Sequence, residues 1–200
     1  RVIMKDAVGC TATYRVQDSI VIDDIKAAFS PSLKLICDEA TVQFSSTTTN
    51  FSRDSLQMPL QYHWNFGTGN AADTANTQNG SFHYSKPGTY AITLSATSAF
   101  GCTRTVTDTI TVFQKPQLTL NTIANICQND SVRFSAAADM ANLQWRWNFG
   151  NGVTDTAQRP AAQTYNRAGS YNVSLIAYTN PACADTAVQT FVVNGLPNIA

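Results

Sequence analysis

The sequence predicts an all-β protein built from tandem β-sandwiches, and three observations predict it. Apolar and polar residues alternate over short stretches, as in "TYAITLSATS" (89–98) and "SYNVSLIAY" (170–178). Glycine, asparagine and aspartate punctuate these stretches at short intervals, and no segment keeps a helical period. The third observation is an internal repeat: "WNFGTG" begins at Trp64 and "WNFGNG" at Trp147.

The repeat fixes the domain plan. Trp64, Asn65, Phe66 and Gly67 match Trp147, Asn148, Phe149 and Gly150. Downstream, Tyr84, Gly88, Tyr90 and Cys102 match Tyr165, Gly169, Tyr171 and Cys183 at an offset of 81. Upstream, Cys37 and Phe44 match Cys127 and Phe134 at an offset of 90. The first copy carries the longer loop "STTTNFSRDSLQMPL" (46–60), and surface loops tolerate such insertions. The tail of a third copy is also visible, since "DAVGCTATYRVQDSIVI" (6–22) resembles "SAFGCTRTVTDTITV" (98–112). Residues 1–23 are therefore expected to be the last hairpin of a preceding domain. Residues 24–114 and 115–195 form two complete domains, and 196–200 start the next linker, so the chain is expected to come from a longer array.

Taken in order, each copy supplies the strands of a sandwich. "ATVQF" (40–44) turns Val42 and Phe44 inward, and "SVRF" (131–134) does so with Val132 and Phe134. In the motif strand Tyr62, Trp64 and Phe66 share one face, as do Trp145, Trp147 and Phe149. The next long strand turns Tyr90, Ile92, Leu94 and Ala96 inward in the first copy, and Tyr171, Val173, Leu175 and Ala177 in the second. Trp64, Phe66, Tyr90, Trp147, Phe149 and Tyr171 are the predicted structural core. A buried tryptophan at mid-strand is what an immunoglobulin-like sandwich uses to fill its centre. The Gly-x-Gly after it supplies positive φ for a tight turn. Tyr90 and Tyr171, each just after a turn glycine, occupy the place of a tyrosine corner.

Composition excludes several function classes. The 200 residues carry zero formal net charge, 44% hydrophobic residues and only 13% charged ones. There is enough apolar material for a core, and no basic patch to hold nucleic acid or an anionic membrane. No apolar run nears the roughly 18 residues of a membrane span, so no membrane insertion is expected. "RVIMKDAVGC" lacks the apolar segment of a signal peptide, so targeting information is expected elsewhere. Glu39 is the one glutamate, and neither His63 nor His83 recurs in the second copy. No paired-carboxylate or Ser-His-Asp set is repeated, and the chain reads as a non-enzyme with no cofactor.

"WNFGTG … FHYSKPGTYAITLSATSAFGC" and "WNFGNG … QTYNRAGSYNVSLIAYTNPAC" resemble PKD (polycystic kidney disease) domains. The hallmark of that family is W-D-F-G-D-G, then H-x-Y, then P-G-x-Y-x-V-x-L. Here Asn65 and Asn148 replace the first acidic residue, and Thr68 and Asn151 the second. The histidine is His83 in the first copy but Gln163 in the second. The resemblance covers both copies. It implies extracellular sandwich modules in tandem that act as spacers, adhesive stalks or carbohydrate-associated accessories. Versions ending in "FGCT" are similar to modules in large surface proteins of Bacteroidota, often exported by the type IX system. The expected role is a stalk or adhesin rod at the cell surface, with neighbouring modules of the same chain as partners. A carbohydrate-binding accessory of a secreted enzyme and a self-associating filament are the alternatives, which leaves surface glycans and like chains as further partners.

Five cysteines without a CxxC pair read as disulfides of an oxidising compartment. One bond per domain would give Cys37–Cys102 and Cys127–Cys183. Strand direction argues against it: the start of the second strand and the end of the penultimate one lie at opposite poles, about 20 Å or more apart, and a disulfide needs Cα atoms within about 7 Å. The short linker "FQKPQ" (113–117) instead favours a Cys37–Cys183 bond between domains, with Cys10, Cys102 and Cys127 partnered outside the chain. Seven of the twelve aspartates precede Ser or Thr and then an apolar residue. This is similar to the O-glycosylation signature of Bacteroidota and marks Ser19, Ser55, Thr74, Thr109, Ser131, Thr156 and Thr186 as acceptors; the plainer reading is that aspartate starts turns and threonine starts strands. Asp23 and Asp24, at a domain junction, are the candidates for calcium, although two acids fall short of the roughly six to eight oxygens the ion takes.

Overall fold

The structure is a computed structural model that describes residues 3–5, 8–9, 11–13, 24–50 and 59–197, with 3–5 and 11–13 as backbone alone. The described residues form strands and turns and no helix. They fall into two compact units, residues 1–112 and 113–200.

The first unit opens with β1 (Ile3–Lys5) and β2 (Thr11–Thr13), an antiparallel pair forming a sheet of its own. Then come β3 (Ile25–Lys26), β4 (Phe29–Pro31), β5 (Leu35–Cys37), β6 (Ala40–Ser46), β7 (Thr49–Asn50), β8 (Gln61–Asn65), β9 (Thr74–Ala75), β10 (Gly80–Tyr84), β11 (Gly88–Thr97) and β12 (Thr103–Phe113). One sheet runs β10-β6-β4 and the other β5-β12-β11-β8-β9. Between them lies the core. Val42, Phe44 and Tyr84 come from the smaller sheet, and Trp64, Ile92, Leu94, Ile110 and Val112 from the larger. Alternation explains the arrangement: along β11, Ile92, Leu94 and Ala96 are enclosed while Thr89 and Ala91 face water.

The second unit repeats the plan with β13 (Leu118–Leu120), β14 (Ile126–Cys127), β15 (Ser131–Val132), β16 (Ala136–Ala138), β17 (Gln144–Asn148), β18 (Thr154–Asp155), β19 (Gln163–Thr164), β20 (Gly169–Asn180) and β21 (Cys183–Asn194). Its larger sheet runs β14-β21-β20-β17-β18, and its other face is split into the pairs β13-β16 and β15-β19. The register of the motif strand is the same in both units: Trp64 stands opposite Leu94, and Trp147 opposite Leu175.

Both tryptophans are fully enclosed, and so are Phe66 and Phe149 at 2% or less exposure. Trp64 touches the rings of Phe29, Phe44 and Phe66, and Trp147 those of Phe134 and Phe149. Each indole N–H still needs a partner inside this apolar setting. Trp64 donates to the Thr77 carbonyl at 2.9 Å, and Trp147 to the Ala157 carbonyl at 3.0 Å. Tyr90 and Tyr171 depart from the predicted core in one respect: both are only half-buried. The hydroxyl is the reason, because it must leave the core to reach backbone four residues upstream, Lys86 O at 2.8 Å and Arg167 O at 2.9 Å. That is the geometry of a tyrosine corner.

Candidate functional site

The W-N-F-G-x-G turn recurs in both units, and its side-chain oxygens cap the turn itself. The Asn65 side-chain carbonyl accepts the Gly67 N–H at 2.8 Å, and Asn148 accepts the Gly150 N–H at 2.9 Å. An aspartate would cap the turn through the same oxygen, so asparagine keeps the cap and drops the charge. Thr68 donates to Asp73 at 2.6 Å, and the Asn151 carbonyl accepts from Val153 N–H at 3.0 Å. Gly67 and Gly150 have φ of 77° and 76°. A Cβ at either would sit 2.5 Å from Ala91 O or 2.6 Å from Asn172 O, so backbone packing as well as φ demands glycine there. These bonds run to the turn's own backbone and to Asp73, and they hold its shape.

Sequence reasoning missed Tyr84 and Tyr165 as core residues. Each is 1% exposed and donates its hydroxyl to the main chain of the motif, Phe66 O at 2.9 Å and Phe149 O at 2.8 Å. Burial, then the neighbouring Tyr171, pushes the Tyr165 phenol up to about 12; burial, then Tyr90, pushes Tyr84 up as well. Their recurrence in both copies was the available signal.

The cysteines occupy two kinds of place. Cys37 and Cys127 end the short strands β5 and β14. Each strand lies beside the far end of the unit's last strand: Lys34 O accepts the Thr111 N–H at 2.9 Å, and Cys127 stands opposite Asn194. Cys102 and Cys183 sit at the beginning of those last strands. Strands of 11 and 12 residues therefore separate Cys37 from Cys102 and Cys127 from Cys183, about 33 Å or more. Neither Cys37 and Cys102 nor Cys127 and Cys183 are within reach of each other for a disulfide. Cys37 and Cys183 are both disulfide-bonded, and Cys127 is an exposed thiol. Cys102 is buried beside Ile25 and Ala96. Cys10 lies outside the described residues. Strands β5 and β14 were not foreseen, because two or three residues are too few to show alternation.

Of the seven Asp-Ser/Thr sites, Ser19 and Ser55 lie outside the described residues. Thr109, Ser131, Thr156 and Thr186 are exposed, and Thr74 is half-buried. Each of the five described aspartates before these sites has a bonding partner. Asp73 closes the motif turn, Asp130 accepts the Cys127 N–H, and Asp155 accepts the Thr156 and Ala157 N–H groups. Asp108 pairs with Lys34 at 2.8 Å. Asp185 pairs with Lys115 at 3.2 Å and accepts the Leu118 N–H at 3.0 Å.

Asp24 is exposed, and Asp23 lies outside the described residues. Among the described residues no three His, Cys, Asp or Glu side chains gather as a metal set. His63 is exposed and bonds Asn76 at 2.9 Å; His83 lies 3.2 Å from the Thr41 hydroxyl and 3.5 Å from Glu39.

A stretch of 140 residues, 68% of the chain, is 26% identical to polycystin-1-like protein 1 of Oryzias latipes, of whose length it spans 5%. Among solved structures the chain is similar to the PKD1 domain of Vibrio anguillarum Epp, with 27% identity, 44% of this chain and 92% of that one covered, and a TM-score of 0.32. It is also similar to murine CEACAM1b, with 11% identity, 86% and 100% coverage, and a TM-score of 0.46. The profile of the PKD domain matches residues 30–112 and again 113–194, and the chain belongs to the PKD domain family as a tandem of two.

Proposed function

We propose that the chain is a non-catalytic structural segment of an extracellular surface protein, a stalk or adhesin rod whose successive modules are stapled by disulfides. The observation that carries the reading is the state of two cysteines. Cys37 and Cys183 are both oxidised, and each lies a full strand away from the other cysteine of its own module. The proposed bond is Cys37–Cys183, between consecutive modules. Such a staple limits bending at the short linker and suits an oxidising location outside the cell. Residues 1–23 belong to the same reading, as the final hairpin of a further module. In support, β1 and β2 pair Lys5 with Thr11 just as β11 and β12 pair Thr97 with Thr103, at one constant offset of 92, and Gly9 and Gly101 turn with φ of 91° and 85°. Cys127, equivalent to Cys37, is then the thiol that a following module engages.

Peptide mapping without reduction tests the staple. The expected product is a cross-linked pair containing Cys37 and Cys183; a Cys37–Cys102 or Cys127–Cys183 pair overturns it. A carbohydrate-binding accessory would need aromatic side chains displayed to solvent. Among the described residues Phe100, 52% exposed, is the one phenylalanine, tyrosine or tryptophan that is mostly open to water. O-glycosylation is the finer part of the proposal, supported by the exposed acceptors Thr109, Ser131, Thr156 and Thr186. Intact mass of protein from its native source should exceed the sequence mass by whole glycans.

A further inference from the structure

On the outward face of the first module's larger sheet, the central strands β11 and β12 present an ordered array of hydroxyl groups. On β12 every outward position from Thr103 to Thr111 is threonine. Facing them, β11 supplies Thr89, Thr93, Ser95 and Thr97, and Ala91 is the one gap. Four rungs are closed by side-chain hydrogen bonds across the strands, at 3.4, 3.3, 3.0 and 2.9 Å. The next strand continues the face with Gln61, His63 and Asn65, so no Asp, Glu, Lys or Arg stands among these positions.

Strand geometry makes the array periodic in two directions. Neighbouring strands lie about 4.8 Å apart, and outward residues along one strand recur about every 6.8 Å. The bonded rungs hold the hydroxyls in rank, and each threonine adds a methyl beside its oxygen. A neutral, rigid net of this kind complements a surface that is itself neutral and periodic in oxygen. It offers a charged ligand no ion pair. It also lacks an aromatic platform for stacking a sugar ring, since Phe, Tyr and Trp are absent from these positions.

We infer that this face, where Thr109 carries no glycan, binds ice, matching its hydroxyl ranks to the oxygen rows of a prism-type plane, whose rectangular net has comparable spacings. The second module serves as an internal contrast. At the equivalent place β20 and β21 carry Ile176, Tyr178, Val188 and Val192, which interrupt the array.

The test uses the whole chain, made without glycans because Thr109 lies on the face. Ice recrystallisation inhibition and partition into a slowly growing ice front are measured for the wild type, for Thr107→Tyr at the centre of the array, and for Val188→Tyr as a control. Thr107 and Val188 are exposed and tyrosine suits strands, so circular dichroism and melting should be unchanged. The expected result is inhibition by the wild type and by Val188→Tyr, with the Thr107 variant needing about tenfold more protein or worse. Thr105→Lys, read the same way, replaces Thr107→Tyr should that variant fail to fold. A wild type that is excluded from ice overturns the inference, as does a folded array variant with unchanged activity. Co-sedimentation with cellulose or chitin particles without ice activity assigns the face to a polysaccharide and overturns it too.

Discussion

The two modules are near copies on the inside and strangers on the outside. Trp64 and Trp147, Tyr84 and Tyr165, and Gly67 and Gly150 make the same contacts to the same backbone groups, often within 0.1 Å. Outside, the threonine ranks of β11 and β12 give way to a face on which Val188 is 63% and Val192 39% exposed. The charged anchors differ as well, Lys34–Asp108 in one module and Lys115–Asp185 in the other. An enclosed side chain that also satisfies a named carbonyl has no neighbouring solution to drift to. An outward strand position need only suit a pleated, half-wet surface, and threonine and valine both do.

If the inner faces are equivalent, their tryptophans should be equally costly to remove. Trp64→Ala and Trp147→Ala should each destabilise their own module by about 3–5 kcal/mol in urea unfolding. A cost under about 1 kcal/mol in either would break the equivalence. The motif glycines come next. Gly67→Ala and Gly150→Ala should cost roughly 2–3 kcal/mol each, because the new methyl meets a carbonyl at 2.5–2.6 Å as well as adopting positive φ. Gly69→Ala and Gly152→Ala, with φ of 80° and 88° but open space around them, should cost only about 1 kcal/mol. Equal losses at the two glycines of one turn would mean that φ alone decides.

What could be read beforehand follows the same division. Alternation and the repeated motif expose the inner face, because burial writes itself into the sequence at a period of two. Hence Trp64, Phe66, Trp147 and Phe149 were legible, whereas Tyr90 and Tyr171, predicted as core, sit half-buried at its rim. Strands β5 and β14 were not legible, since their pairing to β12 and β21 is long-range and too short for a pattern. Cysteine chemistry was legible in kind, as oxidation, because two oxidised cysteines need no local signal beyond their presence. The aspartates before Ser or Thr were ambiguous for a physical reason: capping a turn and marking a modification site ask for the same carboxylate in the same place.

The buried phenols offer a titration of the inner face. A folded-state pKa raised to about 12 means that Tyr165 keeps its proton where the unfolded chain, near 10, loses it. Its contribution is intact below about pH 10 and fades by roughly 1.4 kcal/mol for each pH unit from there to 12. Tyr84, shifted the same way, should behave alike in the first module. Tyr165→Phe and Tyr84→Phe leave the Phe149 and Phe66 carbonyls without their donor, at a cost of about 1–2 kcal/mol at neutral pH. Each variant should also flatten the alkaline slope of its own module, measured as denaturation midpoint against pH.

The anchors on which the modules differ should show the smallest effects, and unequal ones. The hydrogen bond from Lys34 holds the Asp108 carboxyl below its usual value. For Asp185, burial acts upward, but bonds from the Leu118 N–H and from Lys115 win and hold it low. A depressed carboxylate stabilises the fold above its unfolded value, about 3.9, and that contribution is lost as the pH falls through the folded one. Lys34 is 61% exposed and the Lys34–Asp108 pair is screened by water, so Asp108→Asn should cost well under about 1 kcal/mol at pH 7 and nothing once Asp108 is protonated. Asp185 is less exposed and also supports a main-chain N–H, so Asp185→Asn should cost more, up to about 1 kcal/mol, with less sensitivity to salt. Denaturation midpoints of both variants at low and high salt, at pH 7 and pH 3, decide whether the main-chain bond or the ion pair separates the two modules: equal, salt-erased effects would leave the ion pair alone responsible.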